Sequence, residues 1–193
     1  MLLMAAFAAS AASAQVTVKA PPAEVKTRTV DPQHPPAEMP PLADDEAAVT
    51  SSKFSCAVKI EVTITTGDHP VMTISSVDTS VGLKIIEWLP DGVSKKIKAH
   101  EDGHRQISEI AYSKAADAAK KIGQKYLGRT YKLKSVDQQE TQPLIQQAAN
   151  EYTGEYFGAI EVPSQKAQEK YDQITDHGRN NVPEKEAIEK AMK

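Results

Sequence analysis

The sequence predicts an α+β fold, in which a small N-terminal antiparallel sheet packs on a long helix and on further C-terminal helices. In residues 58–64, apolar side chains alternate with polar ones, which is typical of a strand with one face on a core. In residues 97–126, apolar side chains instead recur every three or four positions, which is typical of an amphipathic helix. The change of period places the strands before the helices, as in many α+β domains.

The first 14 residues look like part of a secretory signal peptide. They are small and apolar, contain no acidic residue and end in Ala12-Ser13-Ala14, a sequence that a signal peptidase could cut. The stretch is too short to cross a bilayer as a permanent helix, and no other segment is apolar enough to do so. We therefore expect an exported protein, periplasmic or secreted, without stable membrane insertion.

Residues 15–52 form a proline-rich segment that the sequence predicts to be an extended linker. The segment carries seven of the chain's 12 prolines and few large apolar residues, so it lacks the apolar area that would offset the entropy of ordering. This leaves residues 53–180 as one domain and residues 181–193 as a charged tail. A domain of that length can bury a core of its own.

The composition excludes several classes of protein. The formal net charge is -3, and lysine and arginine do not form a dense stripe, so nucleic acid is not an expected partner. Cys56 is the only cysteine and stands at an apolar position of a strand pattern, so no internal disulfide can form. We therefore expect the domain to be stabilised by its core or by a metal ion. Nothing in the composition indicates an oligomeric state.

Three strands are expected before the helices. The first covers residues 58–64, and a turn at residues 67–70 leads into a second strand at residues 71–77. Residues 83–88 are a third extended candidate, which ends at a turn-forming sequence in residues 90–92. The first two strands would form a hairpin.

One long helix is expected after the strands. Ser94 is a suitable N-cap, and Gly128 is a suitable stop. Gly123 could end or bend this helix earlier, because more than thirty residues would be long for a small domain.

Shorter elements are expected in the C-terminal third of the chain. Residues 131–136 could form a short strand, and a second helix is predicted at residues 139–160. Pro163 should break that helix, and Ser164 could cap a third one. Residues 183–193 suggest a charged, frayed helix.

The run His100-Glu101-Asp102-Gly103-His104 matches the pattern H-E-x-x-H. Helical side chains four positions apart lie about 6 Å apart along the axis on one face, so both imidazoles can reach one metal ion. Zinc is the expected ion, because it accepts neutral imidazole without a strong geometric preference. Glu101 could flank the ion and accept a proton from a water on it. The alternative is a pair of core histidines satisfied by hydrogen bonds.

A third metal ligand is needed, because catalytic zinc sites usually have three ligands from the protein. His177 is the first candidate, since it ends a helix that must pack somewhere on the H-E-x-x-H helix. Glu151 and Glu155 are competing candidates, one turn apart on the second helix. Polar residues beside His177 could hold its second nitrogen; they are Asp172, Thr175 and Asp176.

The two motifs HEDGH and YDQITDHG, in that order, resemble a bacterial family of predicted secreted zinc-dependent proteases known as a domain of unknown function. The resemblance covers residues 54–180. It implies a zinc site formed by His100, His104 and His177, with Glu101 as the catalytic residue.

The leading hypothesis for function is a zinc-dependent hydrolase that acts on a peptide or protein substrate. Glu101 would be the general base, and Tyr171 could donate a hydrogen bond to the charged intermediate. Tyr171 could equally be a core residue of the third helix. An exposed sheet edge could align an extended peptide. The alternative function is a non-catalytic binding or structural module stabilised by zinc.

Gly103 also requires an explanation, because glycine inside a helix costs about 1 kcal/mol relative to alanine. It leaves space between the two histidines, into which another segment can pack. We expect that segment to be the loop that carries His177.

Overall fold

Five strands and four helices are found in residues 14–42 and 46–193, the part of the chain that the structure, a computed structural model, describes. The strands are β1 (Gln15–Lys19), β2 (Glu24–Val30), β3 (Val49–Thr65), β4 (Val71–Pro90) and β5 (Thr130–Lys132). The helices are α1 (Lys95–Tyr112), α2 (Ala115–Tyr126), α3 (Gln138–Thr175) and α4 (Glu184–Ala191). The signal-peptide-like segment, residues 1–14, lies outside the described residues apart from Ala14.

The sheet is built along β4, a strand of 20 residues that pairs with each of the other four strands. β3 runs antiparallel to β4 along one edge, from the Val49–Trp88 pair to the Thr65–Val71 pair. The other edge takes β5 antiparallel and then β1 and β2 parallel. The prediction of a small N-terminal antiparallel sheet is therefore wrong, because the sheet is mixed in direction and reaches residue 132.

The second and third predicted strands are one strand, because the alternation of core-facing and solvent-facing residues continues between them. Val77, Thr79 and Val81 are buried, whereas Ser80 and Lys84 are exposed. This alternation keeps one face of β4 on the core from residue 77 to residue 85.

Residues 15–52 contribute strands to the sheet, which differs from the extended linker that the sequence predicts. All of β2 except Val30 is exposed, so pairing with the β4 backbone holds this strand and little apolar burial contributes. Such a strand has no apolar alternation for a sequence pattern to detect. Val30 and Met39 pack against Trp88 near the end of β4.

The helix predicted between Ser94 and Gly128 is divided into α1 and α2. The Ser94 side chain caps α1 as predicted, because it accepts a backbone hydrogen bond from the first turn at 3.2 Å. The break comes at residues 113–114 and not at Gly123. A Cβ on Gly123 would lie 2.6 Å from Val16, so this glycine lets α2 pack closely on β1.

α3 is a single helix of 38 residues, so the two helices predicted on either side of Pro163 are one. A proline inside a helix costs about 3 kcal/mol. Ile160, Ser164 and Ala167 are buried on both sides of Pro163, and the packing of that face keeps the helix continuous. The longest helix is therefore C-terminal, and α1, which carries the H-E-x-x-H pattern, has 18 residues.

α4 packs on α1 and α3, although the sequence predicts a frayed tail. Ala187, Ile188 and Ala191 are buried in one cluster with Ile107 of α1 and Tyr171 of α3. This packing fixes the C-terminal end of α3 against α1.

The main core lies between the sheet and the first three helices, and it contains the fully buried residues Tyr126, Tyr152 and Tyr156. Cys56 packs at its edge, and burial raises the pKa of its thiol to about 11. Within the described ranges, no helix combines the length and the apolar character that a membrane span requires.

Candidate metal centre

α1 and α3 bring three potential metal ligands together. His100 and His104 stand one turn apart on the inward face of α1, and Asp172 stands on α3. The distance between His100 Nε2 and His104 Nε2 is 3.1 Å. Asp172 Oδ1 lies 3.3 Å from the first nitrogen and 2.9 Å from the second.

These distances fit a small tetrahedral ion. Two ligand atoms that each lie ~2.0–2.1 Å from such an ion are about 3.3 Å apart. The three atoms form a triangle with edges of 2.9, 3.1 and 3.3 Å, which is close to one face of the tetrahedron. His100, His104 and Asp172 could therefore hold a metal ion.

Gln168 determines which nitrogen of His104 carries the proton. The amide nitrogen of Gln168 donates to His104 O at 3.0 Å and to Ser108 Oγ at 2.9 Å. Its Oε1 must then accept from His104 Nδ1, at 2.5 Å. The proton is thus held on Nδ1, which leaves a lone pair on Nε2 for a metal ion.

Thr175 has the same effect on His100. The Thr175 hydroxyl donates its only hydrogen to Tyr171 O at 2.7 Å, and it lies 3.3 Å from His100 Nδ1. The hydroxyl oxygen must therefore accept from Nδ1–H, which leaves the Nε2 lone pair of His100 free to bind a metal ion.

The two imidazole lone pairs and the Asp172 carboxylate thus converge on one point. Asp172 Oδ1 is buried and makes no hydrogen bond to any described residue. Burial favours the neutral carboxyl, but hydrogen bonds from His100 and His104 outweigh it when these rings carry a proton on Nε2, and they hold the pKa of Asp172 well below its usual range. When both Nε2 atoms are unprotonated, electron-pair donors this close repel one another unless a cation lies between them.

Glu101 lies beside this group but is not part of it. The residue is 4% exposed, and its Oε2 atom is buried without a hydrogen-bond partner among the described residues. Burial raises the pKa of its carboxyl above the usual value. A buried carboxylate with one oxygen free of structural hydrogen bonds is a candidate for proton transfer.

The structure places His177 next to the three ligands, not among them. His177 Nδ1 donates to Glu46 Oε1 at 2.9 Å and lies 3.9 Å from Asp172 Oδ1. Asp176 and His177 both have a φ of 51°, so the loop turns sharply at the end of α3. Asp172, which the sequence predicts only as a partner of His177, takes the third place because the continuous α3 points it at α1.

The two glutamates predicted as alternative ligands lie elsewhere. Glu151 is 3.6 Å from Arg129, and Glu155 binds Lys125 at 2.9 Å and Tyr126 at 3.0 Å. Because α3 is one helix, Glu151 is about 30 Å along its axis from Asp172.

The aromatic ring of Tyr171 packs against both His100 and His104. Its ring stacks on His100 at a centroid distance of 5.1 Å and meets the edge of His104 at 5.0 Å. Its hydroxyl is fully buried without a partner in the described ranges, and Tyr171 does not line the cleft beside the ligands. This position supports a packing role and gives no support to the predicted contact with substrate.

Tyr171 also explains Gly103. A Cβ on Gly103 would lie 2.1 Å from the Tyr171 hydroxyl oxygen, so only glycine leaves space for this ring. The segment that packs there is thus α3 itself and not the expected loop of His177.

A cleft with a volume of about 230 Å³ opens beside the ligands. The first part of β3, residues 49–54, lines one wall, and one face of α3, residues 161–172, lines the other. Glu101, His104 and Ser108 of α1 form its floor. The cleft gives a substrate access to Glu101 and to the edge of the metal-ligand group.

Asp172 is predicted from the sequence only as a partner of His177, and Gln168 is not predicted at all. Their spacing of four places them on one face of the predicted third helix, but no local pattern indicates that this face packs against the two histidines. Comparisons with protein-family models, with curated proteins and with solved structures give no match for this chain, so the geometry of the site carries the functional interpretation.

Proposed function

We propose that the protein is a zinc-dependent hydrolase that cleaves peptide bonds. The observation that carries this proposal is the convergence of two oriented imidazole lone pairs and one buried carboxylate oxygen, next to Glu101, whose Oε2 atom has no partner among the described residues. The resemblance to predicted secreted zinc-dependent proteases agrees with it.

Zinc suits this donor set better than magnesium or calcium does. His100 and His104 offer imidazole nitrogens and Asp172 offers one oxygen, whereas magnesium and calcium prefer oxygen ligands alone. When bound, zinc would lower the pKa of a coordinated water towards neutrality and polarise a substrate carbonyl. Three protein ligands leave one position of a tetrahedral site for this chemistry.

Glu101 would serve as the general base. Its raised pKa makes the carboxylate a better proton acceptor than an exposed glutamate. Oε2 has no hydrogen bond to a described residue that would have to break first. The carboxyl would take a proton from the attacking water and pass it to the nitrogen of the cleaved bond.

His177 is the side chain best placed to contact the charge that develops on the carbonyl oxygen. Its Nδ1 is held by Glu46, and the residue is half-buried beside Asp172. Only the doubly protonated ring has a second donor, so His177 would make this contact as an imidazolium, through Nε2–H. In this proposal His177, and not Tyr171, contacts the carbonyl oxygen, because the Tyr171 hydroxyl is buried against Gly103.

The substrate would be an extended peptide. β3 pairs with β4 along one edge, and no described strand pairs with its other edge. Its first residues line the cleft beside Glu101 and His104. A peptide could add to this edge through backbone hydrogen bonds, which recognise any sequence.

The test compares zinc-loaded wild type with Glu101→Gln on a complex peptide mixture, with cleavage products identified by mass spectrometry. We expect the variant to keep its zinc and to lose at least about a hundredfold in cleavage rate. Glu169→Gln is the matched control, because this glutamate is exposed on α3 outside the cleft. Full activity of Glu101→Gln would contradict the proposal.

A structural zinc ion in a non-catalytic module is the second candidate. It is favoured by the position of His177, whose Nδ1 is 3.9 Å from Asp172 Oδ1 and could become a fourth ligand if it gave up its proton and its hydrogen bond to Glu46. A closed site of four ligands would not bind a small anion such as azide. Azide binding to the cobalt-substituted protein, followed by its visible spectrum, would therefore rule out this candidate.

A further inference from the structure

We propose that the cleft selects extended peptides that carry a basic side chain, and that Glu161 recognises this side chain. This inference rests on the proposed function for the kind of ligand, a peptide, and adds the charge that the ligand must carry.

The charged side chains that line the cleft are acidic. Four carboxylate side chains line it, and no described lysine or arginine does; the four are Glu46, Glu101, Glu161 and Asp172. Asp172 belongs to the metal-ligand group, Glu101 is the proposed base, and Glu46 accepts a hydrogen bond from His177. Glu161 remains without a role in the metal centre.

Glu161 is also the carboxylate whose charge is uncompensated. Its side chain makes no hydrogen bond or ion pair with another described residue, although it is half-buried. By contrast, Glu151 and Glu155 on the same helix both have a cationic neighbour. A carboxylate partly removed from water gains most from an added cation, because solvent screens the attraction less.

A second feature independently marks this cleft as a ligand site. Glu101 lines the cleft and is 4% exposed, and its Oε2 atom has no partner in the part of the chain that is described. A buried polar atom without a partner indicates that a ligand or water completes its surroundings.

The dimensions of the cleft indicate where the basic side chain would lie. Glu161 precedes Asp172 by eleven residues on α3, which corresponds to about 16 Å along the helix. Residues 49–54 of the facing strand span about the same length. Thr50 Oγ1 donates to Glu101 O at 3.1 Å, and Ser52 Oγ lies 2.7 Å from Ser108 Oγ, so the strand runs away from the metal centre towards Glu161.

An extended peptide along this strand would therefore place its basic residue about four or five positions from the cleaved bond. Lysine and arginine both carry their charge at the end of a long side chain, which could extend across the cleft to Glu161. The contact would be an ion pair at a half-buried site.

The experiment measures peptide binding to zinc-loaded Glu101→Gln, which should bind without cleaving. The probes are short capped peptides labelled with a fluorophore, in which one position carries lysine, acetyl-lysine or glutamate. Moving that position along the peptide covers the possible registers. We expect the lysine peptide to bind about fivefold more tightly than the acetyl-lysine peptide in one register, and this preference to shrink at high salt.

Adding Glu161→Gln should abolish the preference, and adding Glu161→Lys should reverse it in favour of the glutamate peptide. Adding Glu169→Gln, the same change outside the cleft, should leave the preference unchanged. A preference for lysine that survives Glu161→Gln, or equal binding of all three peptides, would overturn the inference.

The outcomes also separate this inference from the proposed function. If wild type cleaves peptides without any charge preference, the hydrolase stands and the role of Glu161 is wrong. If Glu161 governs binding but wild type cleaves nothing, the cleft recognises basic peptides and the hydrolase is wrong.

Discussion

Gln168 Oε1 accepts a hydrogen bond from His104 Nδ1, with 2.5 Å between the two atoms. The nitrogen of the same amide donates hydrogen bonds to His104 O and Ser108 Oγ. Rotating the amide by half a turn would therefore break both of these hydrogen bonds. A side chain from α3 thereby decides the protonation of a histidine on α1 that could bind a metal ion.

Gln168→Leu should weaken zinc binding about tenfold to a hundredfold, because His104 would no longer be held in the required orientation and tautomer. Competition with a chromophoric chelator measures the affinity. Gln165→Leu is the control, since Gln165 lines the cleft without touching a histidine. Equal affinities for Gln168→Leu and wild type would show that this hydrogen bond does not orient the ligand.

Asp172→Asn should lose stoichiometric zinc, whereas His177→Ala should retain it. The reason is that Asp172 Oδ1 lies within 3.3 Å of both histidine nitrogens and His177 does not complete the group. Elemental analysis of the purified variants measures this, with Asp117→Asn as an exposed control. The opposite pattern would restore His177 as the third ligand, as the sequence predicts.

Gly103→Ala should destabilise the fold by about 1–3 kcal/mol, because its Cβ would collide with Tyr171 at 2.1 Å. This loss should exceed the gain of about 1 kcal/mol in helix propensity. Gly158→Ala on α3 is the matched control, since no atom lies within 4 Å of its Cβ, and it should stabilise. Chemical denaturation of the metal-free proteins gives both values; a stabilised Gly103→Ala would contradict the packing described.

Glu101→Gln should make the metal-free protein more stable at neutral pH, because it removes a buried charge that has no partner for Oε2. The folded-state pKa of Glu101 is raised above its unfolded value. The unfolding free energy of wild type should therefore rise, relative to the variant, as pH falls through that pKa. Denaturation curves of both proteins at neutral and acidic pH check this, and a difference that does not change with pH would contradict it.

Local patterns were sufficient for the features that depend on neighbouring residues. The Ser94 cap and the inward direction of His100 and His104 follow from the spacing of residues along one helix. This spacing can be counted in the sequence. The exposed strand β2 is not predicted from the sequence. Its backbone pairs with β4 while its side chains are exposed, so the side-chain pattern does not indicate a strand.

The histidine pair and the glutamate that follows its first member can be identified from residue spacing alone, because a separation of four places two side chains on one helical face. The contribution of Asp172 to the group and the packing of Tyr171 over Gly103 depend instead on how distant segments pack. Those contacts depend on α3 continuing through Pro163 and docking on α1. Packing across the whole core outweighs the free-energy cost of a proline inside the helix. A local sequence pattern does not contain the packing contacts that decide this outcome.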